Sequence, residues 1–158
     1  MSLFAGAVWR AGGIAFEEFS SDKERPGKKG EVAAGRIDLR FSYDRETYGV
    51  EAKICWPAVG QKAQSAEDAI RLAMDQARTD ALCIPKMEGK KLAMVFASPS
   101  FPKSEFDDAK KRLKRWREIF GAVRCEGKAF VWIRDCELIE DEGYLYPGAA
   151  IFISEVAV

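Results

Sequence analysis

Asp38, Glu51 and Lys53 are the residues of this 158-residue chain whose types and spacing could do chemistry. They lie in residues 35–56, GRIDLRFSYDRETYGVEAKICW, which read as two β-strands joined by a short polar turn. Two carboxylates and an ammonium on stiff strands could hold a divalent cation and polarise a water. Carboxylates about 5 Å apart at an effective dielectric near 20 repel by roughly 3 kcal/mol, so a cation belongs between them. That cation could be a metal. It could equally be Lys53, Arg36 or Arg40, in a cross-strand salt-bridge cluster with no metal at all.

The strands must position these groups, and a strand's two-residue period decides how. On the first, Ile37, Leu39 and Phe41 share one face, and Arg36, Asp38, Arg40 and Ser42 share the other. On the second, Val50, Ala52 and Ile54 share a face opposite to Glu51 and Lys53. If the apolar faces coincide in a core, Asp38, Glu51 and Lys53 meet on the far side.

Gly35-Arg36-Ile37-Asp38 and Val50-Glu51-Ala52-Lys53, with twelve residues between Asp38 and Glu51, resemble the motif of the PD-(D/E)XK nuclease superfamily. The resemblance covers well under half the chain. It implies an α/β fold, a central mixed β-sheet flanked by helices with a restriction-endonuclease-like αβββαβ core. The chain's length, with no repeat or linker, predicts a single domain over residues 1–158. The resemblance also implies Mg²⁺- or Mn²⁺-dependent hydrolysis of phosphodiester bonds in nucleic acid, with DNA the expected substrate. Asp38 and Glu51 would be metal ligands, with the carbonyl of Ala52 a third. Lys53 would orient or help deprotonate the attacking water and offset charge on the phosphate. Many relatives cut as homodimers. The alternative is a nuclease-like domain without activity that binds nucleic acid or protein.

Composition narrows the chemistry further. The chain is 47% apolar and 32% charged, with 25 basic and 25 acidic residues, so no global basic signal marks a nucleic-acid binder. It contains no histidine, which removes Ser-His-Asp and Cys-His catalysis and histidine-bound metals. Cys55, Cys83, Cys125 and Cys136 form no CxxC pair, arguing against structural zinc and for reduced thiols in a cytoplasmic protein. No apolar run has the length of a membrane span, and residues 3–8 make a poor signal peptide.

Around the motif, Leu3, Phe4, Ala7, Val8 and Ala11 predict a short helix that Gly12-Gly13 stops. Residues 14–19 then predict a strand, because a helix through both glycines would cost about 2 kcal/mol against alanine. The rival is a glycine-to-glutamate helix like that of resolvase-like members, which would add Glu17 as a ligand. Residues 20–30 read as a basic loop, either plainly solvated or a phosphate-contacting arm.

Residues 65–84 predict a helix capped by Ser65, with Ile70, Ala73, Met74, Ala77, Ala81 and Ile84 as its buried stripe. Gln76 matches a glutamine that RecB-like members carry on this helix, although Asp80 stands where their tyrosine would. The plainer reading is an exposed polar side chain. Residues 91–97 predict a central strand covered on both faces. Residues 98–102 form a loop at its carboxyl end, where Ser98 and Ser100 fit turn chemistry.

A helix capped by Ser104 should follow, with Phe106, Ala109, Leu113, Trp116 and Phe120 as its seam. Its outer face would carry Lys110, Lys111, Arg112, Lys114, Arg115 and Arg117. That face is either solvated or a track for a nucleic-acid backbone. Strands at 129–133 and 149–156 flank an acidic turn, 135–142, which would repel phosphate.

Overall fold

The computed structural model describes residues 2–25, 28–60, 66–86, 89–132 and 139–157. Helix α1 (Ser2–Arg10) opens the chain, and strands β1 (Ile14–Arg25), β2 (Lys28–Tyr43) and β3 (Glu46–Cys55) follow. Next come helix α2 (Ala66–Leu82), strand β4 (Lys90–Ala97), the two-residue strand β5 (Phe101–Pro102) and a 3₁₀ turn (Lys103–Asp108). Helix α3 (Ala109–Ala122) and strands β6 (Gly127–Trp132), β7 (Ile139–Asp141), β8 (Tyr144–Tyr146) and β9 (Gly148–Val156) complete it. The fold is α/β, with a six-stranded mixed sheet ordered β1-β2-β3-β4-β9-β6 and a small sheet ordered β5-β8-β7.

Gly12 ends α1 at φ +87°, a left-handed conformation that favours glycine, and Gly13 N–H donates to Val8 O at 2.9 Å. The strand reading of residues 14–19 therefore holds, and the resolvase-like helix does not form. The loop expected over residues 20–30 is instead largely strand. Its backbone is paired in register from Ser20↔Arg36 to Glu24↔Val32, with a shift at Arg25↔Lys28. An antiparallel ladder satisfies those amides however polar the side chains, and charge is common on an edge strand. Pro26-Gly27 lies outside the described residues, as do Ser65 and residues 133–138, which include Cys136 and the first part of the acidic turn.

By its contacts the chain divides into two units: Met1–Ala52 with Gln76–Met94 and Ser154–Val158, and Lys53–Asp75 with Val95–Ile153. In the first, Ile37, Ala81 and Ile84 are wholly buried, with Phe19 and Val156 packed on them. Burying an isoleucine or leucine this fully is worth about 1.5–3 kcal/mol. Phe41 stacks on Tyr48 at 4.7 Å between centroids and meets Phe4 of α1 edge-on at 5.7 Å. These contacts fix α1 against the β2–β3 hairpin.

In the second unit, Trp116, Phe101 and Phe152 are buried, and Phe120 lies 5.4 Å from Phe152 between ring centroids. The 3₁₀ turn delays α3 to Ala109, so Ser104 does not cap it, and Phe106 is half exposed. Arg112 is not on the outer face but 3% exposed, at ion-pair distance from Glu105 (2.8 Å) and Asp108 (3.5 Å). Lys128 Nζ donates to the carbonyls of Phe120, Gly121 and Val123 at 3.0–3.1 Å, satisfying acceptors that the end of α3 leaves open.

Candidate metal centre

The β2–β3 hairpin turns on Asp44 and Arg45, both at positive φ (49° and 66°), the geometry of a type I′ turn. That turn sets the register from Tyr43↔Glu46 to Leu39↔Val50. Just beyond it, Asp38 Oδ2 accepts the backbone N–H of Ala52 at 2.8 Å. A side-chain carboxylate thus ties the strands together where the candidate motif lies. Across β1 the ladder passes from Glu17↔Leu39 to Phe19↔Ile37, and Glu18 between them is left-handed at φ 52°. For a residue with a β-carbon that conformation costs roughly 1–2 kcal/mol. The irregularity sits opposite Asp38.

Glu51 is only 4% exposed. A β-carbon added at Gly49, which alternation places on the same face, would lie 3.0 Å from Ile84 Cγ2. That face is therefore the one covered by Ile84, two residues past the end of α2, which packs with Ala81 of that helix. Burying a carboxylate there needs a cation. Lys23 of β1 supplies it, with Nζ 2.6 Å from Glu51 Oε1. Its stem crosses β2 over Gly35, where an added β-carbon would come within 3.0 Å of Lys23 Cγ and Cδ. An open groove lined by Ser20, Ser21, Asp22, Ala34, Gly35 and Arg36 borders the crossing.

Burial pushes the Glu51 carboxyl above its ordinary value of 4.5. The Lys23 hydrogen bond pulls it back, while the charges of Asp38 and Asp80 push it further up. Asp38 and Glu51 are thus in electrostatic reach of one another, and Asp80 of α2 belongs to the same field. Two of the cations weighed for this role make other contacts. Arg36 pairs with Glu18, and the Arg40 guanidinium lies 4.9 Å over the Phe19 ring.

No protein-family model, curated protein or solved structure matches this chain. The site therefore stands on its own geometry.

Of the residues singled out in the sequence, Asp38 and Ala52 are joined by that hydrogen bond, and Glu51 precedes Ala52 on β3. Lys53 follows on β3, half buried and on Glu51's side by alternation, at the point where the division between the units falls. Gln76 is exposed on α2, one turn before Asp80 and so on the same helical face. Lys110, Lys111 and Lys114 are exposed on α3, in the second unit.

Lys23 and Asp80 are the participants that sequence reasoning missed. Extending the two-residue period of β1 past residue 19 would have drawn Lys23 into a strand. Asp80 had been noticed only as a departure from a tyrosine.

The donor set suits a hard cation such as Mg²⁺, which takes one or two carboxylates and keeps several waters. Asp38 and Glu51 offer carboxylate oxygens on neighbouring strands, and Ala52 offers a carbonyl. Among the described residues no group of three histidine, cysteine, aspartate or glutamate side chains is gathered to hold a metal. A bound ion would therefore draw on backbone, water and substrate oxygens to fill its shell. Among the same residues no helix is long and apolar enough to cross a membrane.

Proposed function

We propose that the protein is a Mg²⁺- or Mn²⁺-dependent nuclease of restriction-endonuclease-like architecture that hydrolyses phosphodiester bonds in nucleic acid, with DNA as its substrate. The observation that carries this reading is the hydrogen bond from the Ala52 amide to Asp38 Oδ2, which ties the two halves of the motif together on adjacent strands just past the Leu39↔Val50 pair. The element order α1-β1-β2-β3-α2-β4 also agrees with the αβββαβ core of such enzymes.

In this reading Asp38, Glu51 and the Ala52 carbonyl hold the ion. When bound, such an ion lowers the pKa of a water and offsets charge on the phosphate. Lys53 orients the attacking water and shares the charge that develops on phosphate oxygens. Gln76 contacts substrate from α2. On α3, Lys114 lies three residues after Lys111 and four after Lys110, and the three track the nucleic-acid backbone. The setting is cytoplasmic, and a homodimer would cut both strands of a duplex.

One observation favours a second reading, an inactive nuclease-like domain that binds nucleic acid or protein. Glu51 already has an ammonium on Oε1, so its charge is compensated without a metal. Calorimetric titration with Mn²⁺ separates the two, alongside cleavage of labelled DNA. Metal-dependent heat and cleavage, both lost in Asp38→Ala, support the enzyme; neither in wild type ends it. Salt-dependent DNA retention that falls when Lys110, Lys111 and Lys114 are changed to glutamine would then leave the binding module. Each lost phosphate contact should lower the slope of log affinity against log salt by about 0.9 on duplex DNA.

A further inference from the structure

Lys23 lies outside the motif, on a different strand, and nothing in the nuclease reading gives it a role. Three observations single it out. Its ammonium sits 2.6 Å from an oxygen of the candidate ligand Glu51. Its stem crosses an intervening strand at a glycine, where a β-carbon would crowd it. Glu51 is nearly inaccessible, whereas the Lys23 side chain is 22% exposed, so the lysine can withdraw towards solvent while the glutamate stays fixed.

We propose that Lys23 is a positioning residue and the resident cation of the acid pair, holding Glu51 in place and competing with a divalent metal for its carboxylate. The proposal rests on the reading of Asp38 and Glu51 as a metal site. An ammonium and a divalent ion drawn to the same carboxylate repel one another and share its charge, so each cation lowers the affinity of the other by the same factor. With the metal seated, Lys23 is released into the groove beside Gly35, where it becomes a free cation next to the site.

The test is Mn²⁺ binding by calorimetry at pH 8, with thermal melting in the absence and presence of Mn²⁺. Wild type, Lys23→Met, Lys23→Arg and Gly35→Ala are compared as full chains. Lys23→Met should bind Mn²⁺ about tenfold more tightly than wild type, the size of a typical coupling between two sites. It should melt lower without metal and gain more from metal. Lys23→Arg, which keeps the charge, should stay within a few-fold of wild type.

If Lys23→Met does not fold, Gly35→Ala carries the test. It crowds the lysine without removing it and should tighten binding in the same direction by a smaller factor. Equal Mn²⁺ affinity in wild type, Lys23→Met and Gly35→Ala overturns the role of Lys23 and leaves the metal site standing. No Mn²⁺ heat in any of them overturns the metal reading itself, and this inference with it.

Discussion

Lys23 on β1 and Glu51 on β3 form a 2.6 Å ion pair across the strand between them, although they are 28 residues apart in sequence. One partner is almost wholly buried and the other is partly exposed, so the pair is asymmetric. Breaking it from the two sides should have different consequences.

Lys23→Met leaves a carboxylate buried beside Asp38 without its cation, and is expected to cost about 3 kcal/mol of stability. Glu51→Gln keeps the shape, removes a charge that burial already disfavours, and is expected to change stability by under about 1 kcal/mol. In the double variant the cost of losing Lys23 should largely vanish. Urea unfolding of all four proteins checks this. Additivity within about 0.5 kcal/mol would mean that the two side chains are not coupled.

The pH dependence follows from the raised Glu51 carboxyl. Its folded pKa lies above the ordinary 4.5, so the folded protein holds this proton more tightly than the unfolded chain does. The stabilisation it contributes is fully present below about pH 4.5 and is lost as pH rises through the folded value. Measured against Glu51→Gln, wild type should therefore lose relative stability as pH is raised from 4 to 8. A difference that does not change over that range, followed by urea unfolding, would contradict the burial of this carboxylate.

Cys55, at the end of β3, has its thiol pushed up to about 11 by burial. Since the thiolate is the reacting species, about one molecule in a thousand is reactive there at pH 8. Alkylation by iodoacetamide, followed by peptide mass spectrometry, should therefore modify Cys55 slowly, in the native protein far more slowly than after unfolding. Equal rates in the two states would mean that this end of β3 is open to solvent.

Ile37, Leu39 and Phe41 are all buried, as read from the sequence, but not on one side: Ile37 lies with Ile84 on the side of Gly49, whereas Leu39 pairs with Val50 on the other. Coverage of a face was not legible either. Ile54, read with Val50 as core-facing, is 63% exposed, whereas Glu51, read on the open polar face, is buried. Along a regular strand a two-residue period tells which side chains share a side, and it is silent on what is laid over that side. Gly49 was the local sign, because its missing side chain lets Ile84 come close.

Lys23 was hidden for another reason. Pro26-Gly27, Gly30 and a run of charges resemble a loop to any local reading, and only pairing with β2 makes residues 20–25 strand. Arg112 was misplaced by its charge alone. It lies at i+3 from Ala109 and i−4 from Trp116, so helical spacing put it on the seam, and Glu105 with Asp108 made its burial tolerable.

The lysine that spans β2 also makes the strand alignment self-checking. Sliding β1 by a single residue against β2 would turn its side chain to the opposite surface of the ribbon. Glu51 would then be enclosed with like charges and no counter-charge, a penalty felt far from the slipped turn. Electrostatics at the acid pair thus proofread the zipping of the outer hairpin, and a misaligned ribbon is rejected before any ligand arrives.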